Sequence, residues 1–260
     1  MRLITSVFIL ALSVVMISAD KVVDEYKVIK VIGEITYKQS GQEMSTGDIF
    51  KSSASLVFKS DNSRAAVISR VKGRFVLAPP SKAQTTNLVP AVNTISSRSG
   101  AIVNELDVKR HFEGDYLIID EVAVPVSPQT FPQDEQHFFF LSYMHEEEKI
   151  MKKLGNRGEK LVINKKEVFS IDGEQIDPFD TEMTLYYRDA KAKENTKLST
   201  FSLVVPDEEL LRREVSVILS EYSDKPEDEQ FKQVKGYLTE FYGKPFDQSL
   251  KNWLEDLSKS

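Results

Sequence analysis

The chain has 260 residues, no cysteine, one tryptophan and only three histidines. The missing thiols exclude disulfide scaffolds, thiol nucleophiles, iron–sulfur clusters and cysteine zinc sites. They also leave nothing to carry a bacterial lipoprotein anchor, and they are compatible with export, where stray thiols would be oxidised. No basic block exists: Lys and Arg are spread along the chain, so the concentrated positive charge that phosphate binding needs is missing and nucleic acid is not expected as a partner. There is no His-Glu-x-x-His pair, Walker phosphate loop, Gly-x-Ser-x-Gly elbow or dinucleotide glycine fingerprint. Long apolar runs are absent beyond the first twenty residues.

That one run is informative. Arg2 precedes an almost wholly apolar stretch, Leu3 to Ile17, and Ser18-Ala19 leads into Asp20 and Lys21. It is shorter than the ~20 residues that span a bilayer core and ends in small residues, which reads as a secretory signal peptide over residues 1–19, cleaved after Ala19; an uncleaved anchor is the alternative. Losing Arg2 leaves 33 basic against 40 acidic residues, a formal charge of −7. No stable membrane span is expected after cleavage. The remaining composition, 41% apolar and 28% charged overall, is that of a globular chain large enough to bury a core without disulfides.

From residue 20 to residue 80 short stretches rich in Val, Ile, Phe and Tyr alternate with polar turns, as in Tyr26 to Ile32, Glu34 to Lys38, Leu56 to Phe58, Ala65 to Val71 and Arg74 to Ala78. Turn signals every 8 to 12 residues predict a small barrel or sandwich. Residues 81–99, rich in Ser, Thr, Asn, Ala and Pro, read as a linker or long loop. Over residues 100–205 seven further strands are expected: 101–108, 115–126, 137–145, 149–154, 160–169, 182–188 and 200–205, a number that suits a β-sandwich-like module. The period then changes. Over residues 206–260, Leu211, Val215, Ile218 and Tyr222 share one helical face behind Asp207-Glu208-Glu209. Pro226 opens a second helix with Phe231, Val234, Leu238 and Phe241 inward, and Pro245 opens a third with Leu250, Trp253, Leu254 and Leu257. The expected fold is mainly β with a C-terminal cap of about three helices whose stripes pack inward.

The glycine-punctuated series Gly33, Gly47-Asp48-Ile49-Phe50, Leu56-Val57-Phe58 and Ser60-Asp61-Asn62-Ser63 ahead of Ala65-Ala66-Val67 resembles the FecR-like β module of bacterial envelope proteins, with Asn62 where that family usually has glycine. The likeness covers about residues 22–80. It implies a small β module in an exported envelope protein. The cytosolic segment and spanning helix of the iron-citrate-type regulators are not found beside it.

Candidate chemistry is sparse. His137 and His145, eight apart in one expected strand, would lie about 26 Å apart at ~3.3 Å per residue and cannot share a metal. His145 followed by Glu146, Glu147 and Glu148 offers a nitrogen and carboxylates, or simply a solvated turn. Asp172, Asp177, Asp180 and Glu182 form the densest acidic cluster but lack the alternating oxygen ligands of an EF-hand loop. Ser18-Ala19-Asp20-Lys21 and Ser60-Asp61-Asn62 match strings of penicillin-binding enzymes, without a following Lys-Thr-Gly and in turn contexts where that chemistry needs a helix start. Phe138-Phe139-Phe140 with Tyr143 makes one strand apolar on both faces; the C-terminal helices would cover its second face, or it would be an exposed patch for docking another protein.

No catalytic, cofactor-binding or metal residue is therefore assigned, and no cofactor. The expectation is an exported, periplasmic or extracellular, non-enzymatic envelope protein that binds or scaffolds a protein or glycan partner. The alternatives are an exported hydrolase using carboxylates or calcium near residues 172–182, and an envelope sensor working through a separate membrane partner.

Overall fold

A computed structural model describes residues 25–79, 88–91 and 101–259. The expected signal peptide and most of the 81–99 stretch lie outside the described residues. The structure is mainly β, built from several sheets, with a cluster of helices at the C-terminal end.

The first unit contains β1 (Glu25–Ile32), β2 (Ile35–Tyr37), β3 (Ile49–Lys51), β4 (Leu56–Phe58), β5 (Arg64–Ser69), β6 (Gly73–Leu77) and β7 (Leu88–Pro90). Five of these make a sheet in the order β3-β1-β5-β6-β7, and β2 pairs with β4. Leu88–Pro90, within the stretch expected to be linker, thus extends the sheet by pairing with Phe75–Leu77. One sheet face, with Tyr26, Val28, Val67 and Leu77, closes over Ile35, Met44 and Phe50. The other face carries Ile29, Ala66 and Ile68, and an irregularity in β1 between Val28 and Lys30 sets Lys30 opposite Ala66 and returns Val31 to the first face opposite Ala65. At Gly33 the backbone has φ +72°, and a Cβ there would meet Ser63 Oγ at 2.8 Å, so only glycine fits the turn.

The second unit runs through α1 (Glu105–His111), β8 (Asp115–Leu117), β9 (Glu121–Pro125), β10 (His137–His145), β11 (Glu148–Lys153), β12 (Gly155–Arg157), β13 (Lys160–Asn164), α2 (Lys165–Val168), β14 (Ser170–Ile171), β15 (Glu174–Gln175), β16 (Thr181–Asp189) and β17 (Glu194–Val204). The expected strand at 101–108 is corrected: Ile102 makes one bridge to Val126, and Asn104 then caps α1 by accepting from the Asp107 N–H at 2.9 Å. The expected strand at 115–126 is two strands, and that at 160–169 ends at Asn164, whose side chain caps α2.

Three helices follow, α3 (Glu208–Glu221), α4 (Glu227–Phe241) and, after the two-residue β18 (Lys244–Pro245), α5 (Asp247–Leu257). Asp207 caps α3, accepting from the Leu210 N–H at 2.9 Å. β18 and β17 flank β8 in parallel, completing a sheet ordered β11-β10-β16-β17-β8-β18. That six-stranded sheet faces the three-stranded sheet β12-β13-β9 across one core of Phe139, Leu141, Met183, Leu185, Val124 and Leu161 among others. The helical stripes are buried as expected: Leu211, Val215, Ile218, Val234, Leu238 and Leu250 form a core with Ile29 and Ile68 of the first unit and Leu117 and Ile119 of the second. Each such side chain contributes roughly 1.5–3 kcal/mol. The helices therefore cement the two β units together. Among the described residues no helix is long and apolar enough to cross a membrane.

Candidate binding face

The histidines are engaged locally. His111 is buried, its Nε2 2.9 Å from the Tyr116 hydroxyl and its ring against Phe112 and Phe246. His137 Nδ1 lies 3.0 Å from the Asp134 carboxylate, and that contact with the neighbouring backbone N–H groups holds Asp134 below its usual pKa. His145 stands at the far end of β10 with its ring 5.4 Å from Phe179. The tip beyond it is a two-residue hairpin turn in which Glu146 and Glu147 both have positive φ, 47° and 68°, the twist that suits a right-handed ribbon.

Of the acidic cluster, Asp180 and Glu182 line one surface cavity together with Asp115, and Asp172 and Asp177 stand outside it. Asp172 sits in the turn between β14 and β15, Asp177 is exposed, and Asp180 accepts from the Val205 N–H at 2.8 Å, while Glu182 projects from β16. Among the described residues no group of three or more His, Asp or Glu is arranged to hold a metal. Ser60-Asp61-Asn62-Ser63 is a turn whose Ser63 is buried and bonded to Ser60 at 3.1 Å. Ser18 to Lys21 lies outside the described residues.

The aromatic strand is different. Alternation along β10 sends Phe139, Leu141 and Tyr143 into the core, where Tyr143 donates to the Val168 carbonyl at 2.8 Å. Tyr187 of β16 lies on the same side, donates to the Pro132 carbonyl and has its phenol pKa pushed up to about 12, first by burial and then by Asp134 and Asp189. Phe138, Phe140 and Met144 point the other way. The register places Tyr186 opposite Phe140, Arg188 opposite Phe138, Met151 opposite Ser142 and Lys153 opposite Phe140. On β17, Lys197 stands opposite Tyr186.

These pairs make a continuous outer face. Phe140 and Tyr186 stack at 4.9 Å with 7° between their planes, and Phe138 tilts against Phe140 at 6.5 Å. The Lys153 ammonium lies 4.3 Å over the Phe138 ring. Met144 and Met151 are 53% and 57% exposed, although methionine is normally a buried residue. The expectation that the C-terminal helices cover this face is corrected, because those helices pack on β1 and β5, on β18 and on β9 instead. In consequence Met144 and Met151 remain exposed and Phe138 and Tyr186 half-buried, while Phe140 between those rings is buried. Charge follows the same geometry: Lys149, Lys153 and Arg188 gather toward β10 and β11, with Lys197 on β17, and the carboxylates Glu182 and Asp115 stand toward β8, on a chain whose net charge is −6.

Tyr186, Met151 and Lys197 were not singled out by the sequence. Alternation along Thr184-Leu185-Tyr186 and Lys149-Ile150-Met151 would have put them on one side of their own strands, but only the register brings those strands beside Phe138 and Phe140. No protein-family model matches the chain, and no curated protein matches it.

Proposed function

We propose that this chain is an exported, non-enzymatic bacterial envelope protein, built from a FecR-like first unit and a β-sandwich-like second unit, which binds a protein partner through the outer face of the six-stranded sheet. The observation that carries the proposal is the pair of exposed methionines, Met144 and Met151, flanking the half-buried Phe138 and Tyr186 rings, with Phe140 buried between them. Exposed methionines on a sheet suit a protein surface, because their flexible, polarisable side chains repack against varied apolar partners. The surrounding cations favour an acidic partner and would speed its encounter.

The test places a photocrosslinking amino acid at Met151 and, as a control, at exposed Val71 of the first unit, in the mature chain mixed with its native envelope fraction. A discrete protein adduct is expected at position 151 alone, lost on Phe138→Ala with Tyr186→Ala. Equal labelling at both positions, or adducts only to glycan, would overturn the proposal.

A further inference from the structure

The outer face ends at β11, the last strand of its sheet, bonded to β10 on one side and, among the described residues, to no strand on the other. The Leu154 N–H donates to the Phe139 carbonyl at 2.9 Å. Counting back in steps of two, the N–H groups of Lys152, Ile150 and Glu148 point at β10, and those of Lys149, Met151 and Lys153 point away. The side chains of the same three residues stand on the outer face. Open backbone donors and the aromatic, methionine-bearing surface therefore coincide along one edge.

Such an edge is a template for another strand, and lysines on it normally discourage pairing with a second copy. Two β11 edges brought together antiparallel would set ammonium groups against each other, a destabilising cross-strand arrangement. Carboxylates on an incoming strand would instead meet Lys149 and Lys153, neither of which makes an ion pair among the described residues. The match has a limit: Glu146, Glu147 and Glu148 gather at the hairpin end, so an acidic strand is matched only over residues 149–153.

Resting on the outer-face reading, we infer that β11 accepts a short acidic, extended segment of the partner protein as an added strand. Main-chain bonds to Lys149, Met151 and Lys153 give affinity, and the lysines select acidic side chains. The alternate, apolar residues of the added strand then fall on the other face of the sheet, beside Ile150.

Amide hydrogen exchange of the mature chain tests this, using a capped seven-residue peptide of alternating glutamate and valine as probe. Protection of the Lys149, Met151 and Lys153 amides should rise about tenfold, while a lysine–valine peptide leaves them unchanged. Met151→Pro removes one outward donor at an edge position where proline is tolerated, and should abolish the protection at 149 and 153, whereas Met151→Ala should weaken it only a few-fold. Should Met151→Pro fail to fold, Lys149→Glu with Lys153→Glu keeps the test, since it should transfer the preference to the lysine–valine peptide. Peptide-induced shifts of Phe138 and Tyr186 without protection of the β11 amides would overturn the strand addition and leave the outer-face reading standing. Protection that appears without peptide and grows with protein concentration would assign the edge to a second copy and overturn it as well. So would absence of any effect of the glutamate–valine peptide, with the crosslinking at Met151 then deciding the outer-face reading alone.

Discussion

The helical layer meets the two β units in contrasting ways. Toward the first unit, the joint is a set of ion pairs of one polarity: Lys27 with Glu221, Lys30 with Glu214, Arg70 with Asp224 and Arg74 with Glu240, every cation on the sheet side and every carboxylate on α3, α4 or the turn between them. These surround the apolar contact of Ile29, Ala66 and Ile68 with α3. Toward the second unit the joint is made of backbone and apolar side chains. β18 pairs in parallel with β8, Leu117 and Ile119 enter the helical core, and Phe246 enters the core of the second unit. A joint held by main-chain pairing and close packing tolerates salt and pH; one held by charge does not. The first unit should therefore loosen first, which a polar inter-unit contact leads one to expect.

The largest effect should come from Glu214. It is 4% exposed, and its carboxylate accepts from Lys30 Nζ at 3.0 Å, Tyr237 Oη at 2.7 Å and Tyr242 Oη at 2.5 Å. Burial first, and then this charge, push both phenols well above their usual pKa. Glu214→Ala strands the Tyr237 hydroxyl and removes the counter-charge of the half-buried Lys30 ammonium, which keeps only its bond to the Tyr242 hydroxyl, and should cost about 3 kcal/mol by denaturant titration. Hydrogen exchange should locate the loss in β1 and β5, with β10 and β16 unaffected. Equal loss in both units would show that they unfold as one and that the contrast between the joints has no energetic meaning.

Gly243 offers the mirror-image variant. It ends α4 at φ +114°, and a Cβ there would lie 2.6 Å from the Asp115 carbonyl oxygen. Gly243→Ala combines a left-handed strain with a backbone clash and should cost about 2–3 kcal/mol. Here the amides of β8 and of the C-terminal half of β17 should lose protection while β1 and β5 keep theirs. If β1 opened as readily as β8, the main-chain joint would not be the independent one.

Much of the fold was legible in the sequence, and the reason is local. The three helices followed from their 3.6-residue stripes with Asp207 and Pro226 at the starts, β1 and β6 from alternation between turn signals, and β5 and β10 from short runs apolar on both faces. α1 was missed because its buried residues, Val108 and the polar His111, make no apolar stripe, so its cap, Asn104, carries the signal. The start of β17 was missed because Glu194 to Lys197 is polar, its pairing supplied by β16. The outer face was half legible: Phe138 and Phe140 announced themselves, but which elements would leave them uncovered depended on where the helices went. The charged joint was not legible at all. Lys30 and Glu214 are 184 residues apart, and each alone reads as solvated surface.

The smallest effect, and the sharpest probe of the charged joint, is its acid sensitivity. Arg70 Nη2 lies 3.1 Å from Asp224 Oδ2 with both side chains well exposed, and the hydrogen bond from Arg70 holds the Asp224 pKa below its ordinary 3.8. A carboxylate whose folded pKa is depressed adds stability that is present above its unfolded value and lost as pH falls through the folded one. The Arg70 contribution should thus be intact at neutral pH and begin to be lost as pH falls below about 4. Arg70→Gln should weaken protection of the β5–β6 turn slightly at pH 7 in low salt, and the difference from the unaltered chain should shrink steadily as pH is lowered below 4 and vanish in 1 M salt, where screening shortens to about 3 Å. A difference that persisted in high salt would mean that Arg70 acts by packing its stem against the helices, and would shift the weight of the first joint from charge to apolar contact.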